Sequence, residues 1–175
     1  MIYLYEPNIN KNSKKRVQET LEKNWLSGNT PIVHEFESKF ADFIGVKYAL
    51  ACSSGTTALH LANIVLDVTN DSEVIMPSMS YIASANSVKY QHAEPVFVDI
   101  DKSTWQLDTN LVESKITKKT KAIMPVHLYG GIPDLFKIEK IANKNNLSII
   151  QDSAESLGAR YNKKHAASFK DVGIH

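Results

Sequence analysis

The sequence predicts an α/β fold, a three-layer sandwich built on a mostly parallel sheet. Three observations predict it. Short, continuously apolar runs recur along the chain, each bounded by Gly, Pro, Asp or Asn and several rich in β-branched residues. Amphipathic stretches at helical spacing lie between them, and strands that alternate with helices imply crossover connections and parallel pairing. The runs are apolar throughout rather than alternating, which suits strands covered on both faces. No internal repeat, low-complexity tract or interdomain linker interrupts the pattern, so residues 1–175 read as one region.

The first helix is expected from a cap at Ser13 through Leu21. The second opens at Pro31, which suits a first helical turn, carries the stripe Ile32, Phe36, Phe40, Phe43, and stops at Gly45. Buried strands are expected at Tyr48–Cys52, Glu73–Met76, Pro95–Asp99, Lys121–Val126 and Leu147–Ile150. Between the first two, Leu59, Ala62 and Leu66 give a helical stripe. Asp108 can cap the segment holding Leu111, Val112 and Ile116, and Asp134 can start the helix of Leu135, Ile138, Ile141 and Ala142. The tail from Tyr161 to His175 reads as a hairpin-like loop leading into another element, and its abrupt end implies that the native protein continues.

Composition excludes several function classes. Twenty basic and nineteen acidic residues give a net charge of +1, which offers no broad field for nucleic acid. The denser basic stretches 11–16 and 117–121 read as solvated surface. Cys52 is the single cysteine, so no internal disulfide can form. Met1–Pro7 lacks the basic flank and long apolar run of a signal peptide, and no run reaches the roughly eighteen apolar residues that span a bilayer. The expectation is a cytoplasmic protein that binds neither membrane nor nucleic acid. Six histidines lack metal-ligand spacing, and a single cysteine makes a structural zinc site implausible. Neither a dinucleotide Gly-rich turn nor a Walker-type Gly-Lys-Ser/Thr is present, nor a nucleophile elbow.

In open parallel sheets ligands collect beyond the carboxyl ends of the strands, and three segments arrive there with suitable groups. Ser53–Leu61 follows a strand and opens a helix, whose free N–H groups and partial positive charge favour a phosphate. Gly55 allows close approach, and Ser54 and Thr56 add hydroxyls; a well-capped helix without a ligand is the alternative. Asp152 ends a strand, where a carboxylate can pair with a protonated ring nitrogen or simply turn the chain. Glu155 can turn to the same ligand or face solvent. Tyr81 stands at a helix entrance, where its ring can stack on a flat heterocycle or staple the core. His127, at a strand end, borders the pocket or satisfies a loop.

These segments resemble, in order, the DegT/DnrJ/EryC1/StrS family of PLP-dependent sugar aminotransferases. The likeness is carried by Trp25–Gly28, Ser54–Ala62, Glu73–Ser78, Pro95–Asp99, Pro125–Gly130 and Asp152–Glu155, and covers nearly the whole chain. It implies the N-terminal part of the large domain of an aspartate-aminotransferase-like (fold type I) enzyme, with the cofactor pyridoxal 5′-phosphate. Within the family, Tyr81–Asn86 and Thr104–Leu107 are most similar to members that aminate C4 of a GDP-4-keto-6-deoxy sugar with glutamate. By resemblance Gly55 and Thr56 hold the phosphate, Tyr81 stacks on the ring, Asp152 holds the pyridine nitrogen and Glu155 the 3-hydroxyl. Glu155 departs from the Gln or His of many members, and His92 from a common Gly. The family's Schiff-base lysine falls past His175. The resemblance also implies a homodimer, with Trp25–Gly28 contributing at the interface, and a nucleotide-sugar substrate with an amino-acid donor. Two alternatives stay open: a sugar 3-dehydratase with His in place of that lysine, and a non-catalytic fragment.

Overall fold

The computed structural model describes residues 6–175; the Met1–Tyr5 part of the N-terminal segment read above lies outside the described residues. The chain divides into two compact units, one of residues 6–43 and 47–51, the other of residues 44–46 and 52–175.

The first unit holds α1 (Lys11–Glu22) and nearly all of α2 (Pro31–Ile44). The cap of α1 is Asn10, not Ser13: the Asn10 side chain accepts the Ser13 N–H at 2.9 Å, so Ser13 sits inside the first turn. Pro31 opens α2 as expected, and Gly45 follows it in the left-handed region at φ +80. Arg16 and Lys39 both pair with Glu35, the latter at 2.7 Å; these are exposed contacts of small energetic weight. The strand expected at Tyr48–Cys52 does not form. Tyr48 and Leu50 are exposed, and the Ala51 N–H donates to a Glu37 carboxylate oxygen (2.9 Å) instead of a strand neighbour.

The second unit carries α3 (Gly55–Val65), β1 (Glu73–Pro77), α4 (Ile82–Lys89), β2 (Glu94–Val98), α5 (Thr109–Val112), β3 (Thr120–Ile123), α6 (Leu135–Asn145) and β4 (Ser148–Asp152). It ends with β5 (Arg160–Tyr161), β6 (Lys164–His165) and β7 (Val172–Ile174). The main sheet has the order β2-β1-β3-β4-β7, and each pair is parallel. The hairpin-like tail is the antiparallel pair β5–β6, turned through Asn162 and Lys163 at positive φ, and it leads into β7.

Strand alternation sorts the core into two layers. Ile75, Ile123 and Ile149 point to one face and pack with Leu135, Ile138, Ile141 and Ala142 of α6 and Val112 of α5. Val74, Met76, Ala122, Met124 and Ile150 point to the other, against Leu59 and Ala62 of α3 and Val88 of α4. This is the expected α/β/α sandwich, and the inner strands β1, β3 and β4 are largely buried because both faces are covered, whereas the edge strand β2 is partly exposed. Asp108 and Asp134 cap α5 and α6 as expected, accepting from Asn110 and Lys137 N–H. At Gly173 of β7, a Cβ would lie 2.2 Å from the Ala167 carbonyl oxygen, so only glycine lets that strand close against the turn beside it.

Candidate active site

The chain leaves β1 toward β2 on one side of the sheet and later returns to lay β3 on β1's other flank. Strand order reverses there, which in open α/β sheets is where a crevice forms past the carboxyl ends. A cavity of about 250 Å³ occupies this position, lined among others by Gly55, Thr56, Tyr81, Val126, Asp152 and Glu155. Five of the six residues named from the sequence therefore share one wall system. Ser54 does not.

Ser54 is instead the N-cap of α3. Its hydroxyl accepts the Thr57 N–H at 3.3 Å, while its own N–H donates to Thr57 Oγ1 at 3.1 Å, a reciprocal capping box. That closure satisfies the third N–H of the helix and leaves those of Gly55 and Thr56 as the first-turn donors without a partner among the described residues. A Cβ built on Gly55 meets nothing within 4 Å. Open space, unpaired N–H groups and the positive end of the helix dipole together make a cradle for an anion.

Asp152 closes β4 and lines the same cavity. Its backbone is fixed between Pro125 and His127: its N–H donates to the Pro125 carbonyl (3.0 Å), and its carbonyl accepts the His127 N–H (2.8 Å). The side chain is buried, 6% exposed. Oδ2 accepts the Ser84 hydroxyl at 2.7 Å, and Oδ1 accepts the Ala154 N–H at a long 3.3 Å. No cation pairs with it among the described residues. A buried carboxylate without a counter-charge is costly, so this geometry suits a ligand that brings a positive N–H.

Tyr81 precedes α4 with no side-chain capping bond and 71% of its surface exposed, so its ring is not the core staple that was the alternative. Glu155 directs Oε2 to the Tyr129 N–H at 2.9 Å, leaving Oε1 for another donor. Tyr129 itself is held in the left-handed region at φ 53, ψ 32. His127 is fully buried and off the cavity wall. Its Nε2 lies 3.2 Å from Gln151 Oε1, whose amide nitrogen donates to the Phe169 carbonyl at 2.6 Å, so His127 Nε2 carries the proton. Burial pushes its pKa down to about 4; the Gln151 bond opposes the shift only in part. Its side chain pairs with Gln151 of β4 and does not border the cavity. Sequence reasoning missed Ser84, a small polar residue on a helix with nothing in its spacing to connect it to an acid 68 positions away.

A helix-start anion cradle, an exposed aromatic ring and a buried acid line one crevice of this sheet, whose fold is that of the fold-type I sugar aminotransferases. The chain belongs to the DegT/DnrJ/EryC1/StrS aminotransferase family, which it matches over residues 7–175. It is 44% identical to the GDP-perosamine synthase of Escherichia coli O157:H7 over 171 residues, 98% of this chain and 47% of that protein. Among solved structures it is similar to the PLP-form of the putative sugar aminotransferase Spr1654 from Streptococcus pneumoniae. There the TM-score is 0.91 at 30% identity, covering 98% of this chain and 47% of the other. The E. coli GDP-4-keto-6-deoxy-D-mannose-3-dehydratase with bound hydrated PLP gives a TM-score of 0.86 at 29% identity, covering 95% and 44%. The chain thus spans about half the length of the curated relatives it matches. No helix among the described residues is long and apolar enough to cross a membrane, and none of their His, Cys, Asp and Glu side chains cluster as metal ligands.

Proposed function

We propose that the protein, as a whole, is a PLP-dependent aminotransferase of a nucleotide-linked 4-keto-6-deoxy sugar, with an amino acid such as glutamate as donor, serving amino-sugar and polysaccharide biosynthesis. The observation that carries this reading is Asp152, buried without a counter-cation in the same cavity as the Gly55–Thr56 helix start. The residues fit pyridoxal 5′-phosphate. A Cβ on Gly55 would fill the space a phosphate needs, and Asp152 offers the acceptor a pyridinium N–H needs.

When bound, the cofactor supplies an electron sink for moving an amino group between an amino acid and a keto-sugar. Gly55 and Thr56 bind its phosphate through their N–H groups. Asp152 holds the proton on the ring nitrogen, in surroundings dry enough to strengthen the pairing. Tyr81 covers one ring face, and Glu155 Oε1 accepts from the ring hydroxyl. The identity to GDP-perosamine synthase supports a GDP-linked substrate. A homodimer with the site at its interface, in the cytoplasm, completes the reading.

The test is Asp152→Ala in the whole protein, with glutamate and GDP-4-keto-6-deoxymannose as substrates. Turnover should be abolished and PLP affinity weakened; near-normal rates reject the assignment. Mass analysis of the product separates amination at C4 from loss of the C3 oxygen. The second outcome would favour the dehydratase reading that the fold similarity also supports.

A further inference from the structure

We propose that Ser84 is the positioning residue for Asp152, presenting Oδ1 of that carboxylate to the bound ring; this rests on the reading of the site above. Ser84 lies on α4, is fully buried, and is not on the cavity wall. Its hydroxyl is 2.7 Å from Asp152 Oδ2 and 2.7 Å from Ser80 Oγ.

The proton count fixes the direction of this chain. A serine has one O–H to donate, and a carboxylate can only accept. Ser84 therefore gives its hydrogen to Asp152, and any hydrogen in the Ser80–Ser84 contact comes from Ser80. Ser80 also lies 2.9 Å from the Tyr81 carbonyl, so its one hydrogen is shared between two acceptors. Hydroxyls aligned head to tail polarise one another, which strengthens the last bond of the series, the one to Oδ2.

The consequence is steric as much as electrostatic. A carboxylate at a strand end can rotate about its terminal bond unless one oxygen is claimed. Ser84 claims Oδ2 with a short bond to a charged acceptor, whereas Oδ1 has only the 3.3 Å contact with Ala154 N–H. Oδ1 is the oxygen left for a ligand. α4 itself is held in place by a separate pair of bonds: Ser87 Oγ donates to the Ser84 carbonyl (2.8 Å), and Asn63 of α3 donates to Ser87 Oγ (3.1 Å). No hydrogen bond joins Ser87 to Asp152, which makes it the natural structural control.

The experiment is a double-mutant cycle read by equilibrium dialysis of PLP against the protein. Ser84→Ala should weaken PLP binding by about tenfold to a hundredfold, the range for losing a hydrogen bond to a charged group. The same change in an Asp152→Ala background should leave affinity where Asp152→Ala alone puts it. Ser87→Ala should lower thermal stability yet shift PLP affinity by less than about threefold. Ser84→Cys keeps the shape of the side chain at a slightly larger volume, with a much weaker donor, and should follow Ser84→Ala; it carries the test if the alanine variant fails to fold by circular dichroism. Full affinity in Ser84→Ala, or an undiminished loss in the Asp152→Ala background, overturns the proposal. Full affinity in Asp152→Ala alone overturns the reading of the site, and this inference with it.

Discussion

Replacing Gly55 by alanine should move stability and ligand binding in opposite directions. In the free protein the new methyl group meets no atom within 4 Å, and Gly55 has helical geometry at the first position of α3 rather than a positive φ. A Gly→Ala change at a compatible site stabilises by about 0.4–1 kcal/mol, chiefly by restricting the unfolded chain. For a chain of this size that raises Tm by roughly 1–4 °C. With PLP present the sign should reverse. On the proposed reading, the methyl group adds bulk beside the N–H groups of Gly55 and Thr56 that would take the phosphate. At a hundredfold excess over Kd, ligand stabilisation is about 2.7 kcal/mol, and each tenfold loss of affinity removes about 1.4 kcal/mol of it. Paired melts with and without saturating PLP, followed by circular dichroism, read both effects. The variant should melt above the parent without cofactor and below it with cofactor. A variant as strongly stabilised by PLP as the parent would refute the placement of the phosphate.

Two further outcomes follow from the packing. His127 is buried neutral, with its pKa lowered by burial from an ordinary 6.5 to about 4, so the unfolded chain binds more protons than the folded one between those values. Its contribution is fully present above pH 6.5 and should be lost as pH falls toward 4. The loss is on the order of 3 kcal/mol at most, and urea midpoints at pH 7 and pH 4.5 should lose part of their difference in a His127→Asn variant. Gly173→Ala should destabilise by about 1–3 kcal/mol or more, because the Cβ collides with the Ala167 backbone and cannot be accommodated by a side-chain rotation. An unchanged urea midpoint would show that the turn at Ala166–Ser168 yields.

The sheet was legible because its strands leave continuous apolar runs: Glu73–Met76 falls within β1, and Pro95–Asp99, Lys121–Val126 and Leu147–Ile150 overlap β2, β3 and β4. The same criterion failed at Tyr48–Cys52. That run is apolar too, but strand formation depends on a neighbour's ladder, which no local pattern encodes, and Glu37 takes the Ala51 N–H instead. The Asn10 cap was missed for a smaller reason, since Asn10 and Ser13 are both good capping residues three positions apart and only the backbone decides between them. At the site, Gly55, Thr56, Tyr81, Asp152 and Glu155 were readable from their positions at strand ends and helix starts. Ser54 caps α3 by accepting the Thr57 N–H, which leaves its O–H hydrogen available, although Ser54 is not among the residues lining the cavity. Ser84 could not be found, because hydrogen bonds between distant elements leave no periodic trace.

The arrangement explains why stability and function are opposed here. Packing alone would favour an apolar residue where Asp152 sits, beneath Ser84 and beside Val126 at the end of a buried strand. The fold keeps a carboxylate there, satisfied by one hydroxyl and one long N–H bond, with no lysine or arginine near enough to pair among the described residues. Leaving a buried acid so poorly compensated costs the free protein stability. A ligand bearing both an anionic group for the Gly55–Thr56 helix start and a positive ring N–H for Asp152 relieves both ends at once, which neither a free phosphate nor an uncharged heterocycle can do. On the proposed reading of the site, the helix start and Asp152 together select a phosphorylated, protonatable ring.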